Sequence, residues 1–193
     1  MRWAAFLDRD GTIINQEGFL TRAEDLRLFP GAAQAVKRLR EAGGLVIIVT
    51  NQPAVARGLI DEPALARIHE RLKALFAEKG APLDALYYCP HHPETHHPEA
   101  KDPRYRRECE CRKPKTGMLR RAADEFGIDI ARSFMVGDST RDIMTARNAG
   151  CAAAVLVKTG AGGKDANFDV RPDVVCDDIL AAAEWIAAKA AAK

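Results

Sequence analysis

Three aspartates stand directly after apolar runs of the sequence. Asp8 and Asp10 follow the first run, and Asp138 follows another run far along the chain. If both runs are strands of one parallel sheet, their carboxyl ends share an edge, where ligands bind. Carboxylates gathered there repel one another unless a cation lies among them, and hard oxygen ligands suit Mg²⁺. The sequence therefore predicts a magnesium site at Asp8, Asp10 and Asp138, while Asp142 either joins it or only caps a helix.

A cysteine- and histidine-rich stretch lies between positions 89 and 115. Cys89 and His91 form one close pair, and Cys109 and Cys111 form another after a 17-residue spacer. Three thiolates and one imidazole complete the tetrahedral shell of Zn²⁺ and leave no position for water, so the predicted site is structural. Its zinc would hold a long loop in place. Two alternatives are that His92 replaces His91, and that these are ordinary reduced cysteines of a surface loop.

The same stretch is strongly basic. A positive loop with an aromatic residue can grip a nucleic-acid strand. Acidic residues are interleaved with the basic ones, however, and the chain has a formal net charge of only +2, so we expect no nucleic-acid partner. Part of the basicity compensates zinc-bound thiolates, and the remainder suits a substrate with more than one phosphate. The residues concerned are Lys101, Arg104, Tyr105, Arg106, Arg107, Arg112, Lys113 and Lys115.

Length and composition limit the classes of protein to which this chain can belong. The 193 residues are 47% hydrophobic and 29% charged, which is typical of a globular protein that buries a core without disulfide bonds. The longest apolar runs are far too short to span a bilayer, and residues 1–10 lack the apolar segment of a signal peptide. We therefore expect a cytoplasmic monomer with no membrane partner, in which thiols stay reduced.

Apolar runs alternate with segments of helical period along the chain. The predicted strands are Trp3–Asp8, Leu45–Thr50, Ala85–Cys89, Ser133–Asp138 and Ala152–Val157. The predicted helices are Gly31–Ala42, a segment capped by Asp61 and ended by Gly80, Thr116–Phe126, Arg141–Ala149 and Ile179–Lys189. Such alternation forms parallel βαβ units with right-handed crossovers. The predicted fold is a three-layer, doubly wound α/β domain that spans residues 1–193.

Four motifs, in order, resemble those of the haloacid dehalogenase-like (HAD) phosphatase superfamily. They are DRDGT at 8–12, TNQ at 50–52, RKPK at 112–115 and GDSTRD at 137–142. The resemblance covers essentially the whole chain and implies a Mg²⁺-dependent phosphatase. The gaps between the motifs leave no room for the large cap domain of many members, so the expected active site is relatively open.

The resemblance also implies roles for the motif residues. Asp8 would be the nucleophile that forms an aspartyl-phosphate, and Asp10 would be the general acid and base. Mg²⁺ would be held by the Asp8 carboxylate, the Asp10 backbone carbonyl and Asp138. Thr50 and Lys113 would stabilise the phosphoryl group during its transfer. Because Lys113 directly follows Cys111 and Arg112, the zinc-bound loop would fix its position.

Within the superfamily, the segments CPHHP, CRKP and ARG resemble phosphatases that act on a heptose 1,7-bisphosphate. Histidinol-phosphate phosphatases share these motifs and are the alternative, and the long basic loop favours the sugar bisphosphate. A catalytically silent, zinc-stabilised interaction protein is the alternative from another class. Arg112 would bind the phosphate that is not cleaved. The other residues expected to bind the small phosphorylated sugar are Gln16, Glu17, Gly18, Phe19, Asn51, Gln52 and Pro53.

Other predictions concern residues outside these motifs. His69 lies on the flank of an amphipathic helix and is expected at the surface, and Cys151 and Cys176 are expected to be core thiols. The glycine-rich segment 158–171 is expected to be irregular and mobile. The loop histidines His92, His96 and His97 are expected to be solvated.

Overall fold

In residues 2–16, 18–93 and 102–192, which the computed structural model describes, six parallel strands form one sheet. The strands are β1 (Ala4–Leu7), β2 (Leu45–Asn51), β3 (Ala85–Cys89), β4 (Phe134–Gly137), β5 (Ala153–Val157) and β6 (Val174–Cys176). Their order across the sheet is β3-β2-β1-β4-β5-β6. From β1 the chain therefore extends the sheet to one side through β3, and then to the other side from β4 onwards.

Within the described ranges, five α-helices cover the two faces of this sheet. They are α1 (Ala32–Glu41), α2 (Glu62–Glu78), α3 (Gly117–Phe126), α4 (Thr140–Ala149) and α5 (Ile179–Ala191). The apolar sides of α1, α2 and α5 contribute to one core layer, and those of α3 and α4 to the other. The predicted three-layer, doubly wound α/β fold is confirmed. None of the described helices combines the length and apolar character that crossing a bilayer requires.

β1 illustrates why the central strands are apolar throughout. Ala5 and Leu7 pack into the layer of α1 and α5, whereas Ala4 and Phe6 pack into the layer of α3 and α4. All four side chains are fully buried. Successive residues of a strand point to opposite faces, so a strand covered by helices on both sides has no solvent-facing position.

The predicted strands and helices are all present, with ends that differ by no more than two residues. The expected cap of α2 is confirmed, because the Asp61 carboxylate accepts a hydrogen bond from Ala64 N at 2.7 Å. The elements that the sequence did not predict are β6 and two 3₁₀ turns, Ala23–Asp25 and Ile130–Arg132. Each has three residues, which is too short for a hydrophobic period to be recognised.

The segment expected to be mobile is attached to the central strand ends. Thr159 Oγ1 donates to Gly11 O at 2.7 Å. The backbone N–H of Ala161 donates to Asp138 Oδ2 at 2.7 Å, and that of Gly163 donates to Asp138 O at 2.8 Å. This part of the segment therefore packs against the edge of the sheet where the predicted site lies.

Candidate active site

Asp8 and Asp138 meet at the carboxyl ends of β1 and β4, and Asp142 from the first turn of α4 joins them. The three side chains have carboxylate oxygens within 4.8 Å of one another. Lys113 Nζ lies 2.9 Å from Asp8 Oδ1 and 2.6 Å from Asp142 Oδ1. Lys113 and Asp142 are buried, whereas the Asp8 side chain keeps 14% exposure. Asp8 is thus held by a buried lysine and still accessible to a ligand.

Asp142 caps α4, which is one of the two roles that the sequence left open, and it also lies within the aspartate cluster. Its Oδ2 atom accepts hydrogen bonds from Ser139 Oγ at 2.7 Å and from Ser139 N at 3.2 Å, which closes a capping box at the start of α4. Its Oδ1 atom accepts from Lys113 Nζ. One buried carboxylate therefore joins the helix start to the lysine of the aspartate cluster.

The charges of the cluster do not balance. Three carboxylates and one ammonium group have a formal sum of −2. Burial raises the pKa of Asp8 to about 7, although Lys113 opposes this shift. Burial also raises the pKa of Asp138 to about 6, against the hydrogen bond from Ala161. A cation among these groups would favour their ionised forms.

The surroundings of Asp138 suit a divalent cation. Gly11 and Gly160 have φ angles of +75° and +59°, and a Cβ atom at these positions would lie only 2.2 and 2.1 Å from Asp138 Oδ2. Backbone without side chains therefore surrounds this carboxylate. The atoms that the three carboxylates offer to a metal are all oxygens, the ligands that Mg²⁺ prefers. The residues fit the predicted metal, and Asp142 lies beside them.

The carboxylate of Asp10 is not one of the three in this cluster, and two residues hold it. Arg9 donates to Asp10 Oδ1 from Nε at 3.1 Å and from Nη2 at 2.9 Å. Gln52 Nε2 donates to Asp10 Oδ2 at 2.8 Å. The Asp10 side chain nevertheless keeps 32% exposure. A fixed but accessible carboxylate is suited to exchanging a proton with a bound ligand.

The prediction that His69 lies at the surface is wrong. Its side chain is 4% exposed and packs against Tyr88, with ring centroids 5.1 Å apart. Burial, together with the charge of Arg9, lowers the pKa of His69 to about 3, so the ring is neutral. Arg9 Nη1 lies 3.2 Å from His69 Nε2. Because a guanidinium only donates, Nε2 is the acceptor and the ring proton is on Nδ1.

The two polar residues at the end of β2 have different partners. Thr50 is buried, and its hydroxyl accepts from Gln52 Nε2 at 2.9 Å. The Asn51 side chain hydrogen-bonds to both backbone polar groups of Lys113. Lys113 N donates to Asn51 Oδ1 at 3.0 Å, and Asn51 Nδ2 donates to Lys113 O at 3.2 Å. The Asn51 side chain therefore positions Lys113, a role that the sequence did not indicate.

A second cluster gathers Cys89, His91, Cys109 and Cys111. Cys109 Sγ lies 3.4 Å from Cys89 Sγ and 3.3 Å from Cys111 Sγ, and His91 Nδ1 lies 3.4 Å from Cys111 Sγ. These separations exceed the S–S bond length of about 2.05 Å and approach the edge of about 3.8 Å of a zinc–thiolate tetrahedron. The cluster can hold a metal ion, and it uses His91 rather than His92.

Arg112 extends from this loop to a cleft of about 160 Å³ beside Asp10. Its Nη1 atom donates to His91 O at 3.1 Å. The conformation of the stretch between positions 89 and 115, called the metal loop below, therefore sets the direction of the Arg112 side chain. Burial lowers the pKa of Arg112, and so do the nearby charges of Arg141 and Arg57. The residues of this cleft that were expected to bind substrate are Gly18, Phe19, Asn51, Gln52, Pro53 and Arg112.

The remaining predicted residues lie elsewhere or cannot be placed. Gln16 lines a neighbouring cavity of about 320 Å³ together with Asp10 and Asp138. Of the predicted core thiols, Cys176 is buried and Cys151 is partly buried. The predictions for Glu17, His96, His97 and Lys101 fall outside the described residues.

Comparisons with known proteins point to one family. A family model described as HAD-hydrolase-like matches residues 110–182. The D-glycero-D-manno-heptose-1,7-bisphosphate 7-phosphatase of Thermosynechococcus vestitus is 42% identical over 190 residues, which are 96% of this chain and 95% of that protein. The D-glycero-beta-D-manno-heptose-1,7-bisphosphate 7-phosphatase of Escherichia coli K12 is 39% identical over 157 residues, which are 81% of this chain and 80% of that protein.

A solved structure is also similar along its whole length. The D,D-heptose 1,7-bisphosphate phosphatase of B. bronchiseptica, complexed with magnesium and phosphate, superposes with a TM-score of 0.82 at 36% identity. The match covers 98% of this chain and 99% of that one. The fold is that of a HAD-like phosphatase. Within that class, the chain belongs to the family of the D-glycero-D-manno-heptose-1,7-bisphosphate 7-phosphatases.

Substitution of Gly11 by alanine should inactivate the aspartate cluster. The new methyl group would lie 2.2 Å from Asp138 Oδ2 and 3.0 Å from Gly160 Cα, so Asp138 must move. We expect kcat/KM for phosphate release to fall roughly 100-fold, the effect of an approximately 1 Å misplacement in an active site. The Mg²⁺ concentration needed for half-maximal activity should rise.

Gly43→Ala is the matched control for this variant. Gly43 also has a positive φ, +84°, but a Cβ atom added there would have no atom within 4 Å. Both variants carry the same left-handed backbone strain, and only Gly11→Ala adds a clash. Equal activity losses in the two variants would contradict the proposed contact with Asp138.

Substitution of His69 by leucine should weaken the support of Asp10. It leaves Arg9 Nη1 without its acceptor in a buried site, which we expect to lower the free energy of unfolding by about 1–3 kcal/mol. We also expect a lower kcat, because Arg9 then holds Asp10 less firmly. Urea denaturation and phosphate-release kinetics measure the two effects. His69→Gln, which keeps an acceptor, should retain more of both, and equal behaviour of the two variants would refute this role.

Proposed function

We propose that this phosphatase removes the 7-phosphate of D-glycero-D-manno-heptose 1,7-bisphosphate. The observation that carries the proposal is the position of Arg112, which lies on the metal loop and lines the same cleft as Asp10. Among the described residues, no carboxylate forms an ion pair with Arg112. A substrate with one phosphate at Asp8 and another at Arg112 would supply the missing negative charge. The names of the similar proteins support the same substrate.

The chemistry begins with the accessible carboxylate of Asp8. Its oxygen attacks phosphorus in line, and the bond from phosphorus to the sugar oxygen breaks as an aspartyl-phosphate forms. Asp10 gives its proton to the departing sugar oxygen. It then takes a proton from the water that hydrolyses the aspartyl-phosphate. Arg9 and Gln52 keep the Asp10 carboxylate in position for both transfers.

The phosphoryl group carries its greatest negative charge during the transfer. The ammonium group of Lys113, the hydroxyl of Thr50 and the backbone N–H of Asn51 would stabilise that charge. Mg²⁺ would be held by the Asp8 carboxylate, the Asp10 backbone carbonyl and Asp138. Bound there, it would offset the repulsion between a phosphate dianion and an anionic nucleophile.

The cysteine cluster would hold a structural Zn²⁺ through Cys89, His91, Cys109 and Cys111. Three thiolates and an imidazole fill a tetrahedral shell, so this metal would take no part in the reaction. Its role would be to order the loop that carries Arg112 and Lys113, because ordering a long loop otherwise costs much conformational entropy.

A substrate panel tests the proposed function. Phosphate release with Mg²⁺ would be measured for both anomers of heptose 1,7-bisphosphate, fructose 1,6-bisphosphate and histidinol phosphate. We expect one heptose anomer to have the highest kcat/KM. A preference for histidinol phosphate, the alternative substrate, would overturn the assignment and leave the phosphatase mechanism intact. Asp8→Asn should be inactive on every substrate while its unfolding transition is retained, which excludes a contaminating phosphatase.

Loss of the loop metal should impair activity indirectly. The purified protein should contain about one zinc per chain by elemental analysis, since four ligands form a closed site. Cys109→Ser should lower the zinc content and raise KM more than it affects the Mg²⁺ requirement, because Arg112 and Lys113 lose their support. Cys151→Ser, which alters a cysteine outside the cluster, is the control. Full zinc content in Cys109→Ser would contradict the site.

A further inference from the structure

A second arginine shares the cleft of Arg112. Arg141, in the first turn of α4, lines the 160 Å³ cleft together with Asp10 and Arg112. It also lines an adjoining cavity that contains Asp8 and Lys113. The two arginines come from parts of the chain that are far apart in sequence, the metal loop and α4. They therefore approach the same cleft from two different structural elements.

Within the described ranges, the side chain of Arg141 forms no ion pair or hydrogen bond, and it is only partly buried. The Asp165 carboxylate, which also borders the adjoining cavity, accepts from Thr140 N and Thr140 Oγ1, each at 2.8 Å, and it interacts with the charge of Arg141 without forming an ion pair. Arg147, on the same helix, does have a partner, because its Nη1 atom lies 2.8 Å from Asp173 Oδ2. The guanidinium of Arg141 is therefore available to a ligand in the cleft.

The two guanidinium groups disfavour each other in the absence of an anion. Both side chains line the same cleft of about 160 Å³. Like charges that share a partly buried cleft repel, and an anion bound between them would remove this cost. Two guanidinium groups can each present paired N–H donors to phosphate oxygens. Lys113, by contrast, is already engaged by Asp8 and Asp142.

We propose that Arg141 completes, with Arg112, the subsite for the phosphate that is not transferred. This specificity role rests on the proposed function. The transferred phosphate must lie against Asp8, where Lys113 is the nearby cation, so the two arginines remain for a second anion. Arg141 thereby sets the preference of the enzyme for sugar bisphosphates over sugar monophosphates.

The test compares two substrates that differ by one phosphate, heptose 1,7-bisphosphate and heptose 7-phosphate. For Arg141→Ala, we expect kcat/KM on the bisphosphate to fall at least about 10-fold, as for the loss of one hydrogen-bonded charge pair. On the monophosphate the change should stay within about twofold of the parent. Arg141→Lys should recover part of the loss, and Arg112→Ala should show the same pattern. Arg67→Ala, an exposed arginine of α2, is the control for loss of one positive charge.

The outcomes separate this inference from the proposed function. Unchanged activity of Arg141→Ala on the bisphosphate, with a parent that prefers bisphosphates, would overturn the role of Arg141 alone. Equal losses on both substrates would also overturn it, because they would place Arg141 at the transferred phosphate or in a purely structural role. A parent enzyme that does not discriminate between the two substrates would overturn the proposed function itself. Retained monophosphate turnover shows that the variant is folded.

Discussion

The aspartate cluster at the edge of the sheet depends on the burial of one ammonium group, that of Lys113. A buried charge is tolerated only with close partners, and Asp8 and Asp142 supply them at 2.9 and 2.6 Å. Removing one partner of such a buried pair costs about 3–5 kcal/mol. Asn51 holds the lysine backbone by both its N–H and its carbonyl. The end of β2, the start of α4 and the loop before α3 are therefore positioned around a single charge.

Helix α2 connects the metal loop to Asp10. Near its start, Glu62 accepts hydrogen bonds from the hydroxyls of Tyr88 and Tyr105, at 3.1 and 2.9 Å. About two turns later, His69 contacts Tyr88 and Arg9. The orientation of the Arg9–Asp10 pair and that of the loop therefore share one support. This arrangement explains why a polar residue occupies a buried position of an otherwise amphipathic helix.

The arginines of the site divide into two groups by their partners. Arg9 is buried, and its donors are used by Asp10, Gln52 and His69. Arg112 donates only to a backbone carbonyl among the described residues, and Arg141 has no side-chain partner there. A guanidinium whose donors are used within the protein positions its neighbours. One whose donors are free remains available for an anionic substrate.

Much of the fold and of the candidate site could be predicted from local sequence patterns. The apolar runs and the helical periods identify the strands and helices, because burial between two helix layers requires apolar residues along a whole strand. The close pairs Cys89–His91 and Cys109–Cys111 identify one metal cluster, since ligands two residues apart can bind the same ion. The positions of Asp8 and Asp138 at strand ends follow from the geometry of parallel sheets.

Only the tertiary structure decided which distant side chains share a partner. Asp142 contacts Lys113 across 29 positions of the chain, and His69 contacts Arg9 across 60. Arg141 reaches the cleft of Arg112 because α4 starts beside the metal loop. A helical period shows which face is apolar, but it carries no information about a polar partner from another element. The sequence by itself thus determined the longer elements and the grouping of the cysteine and histidine pairs, while packing decided which charges are satisfied and which remain free.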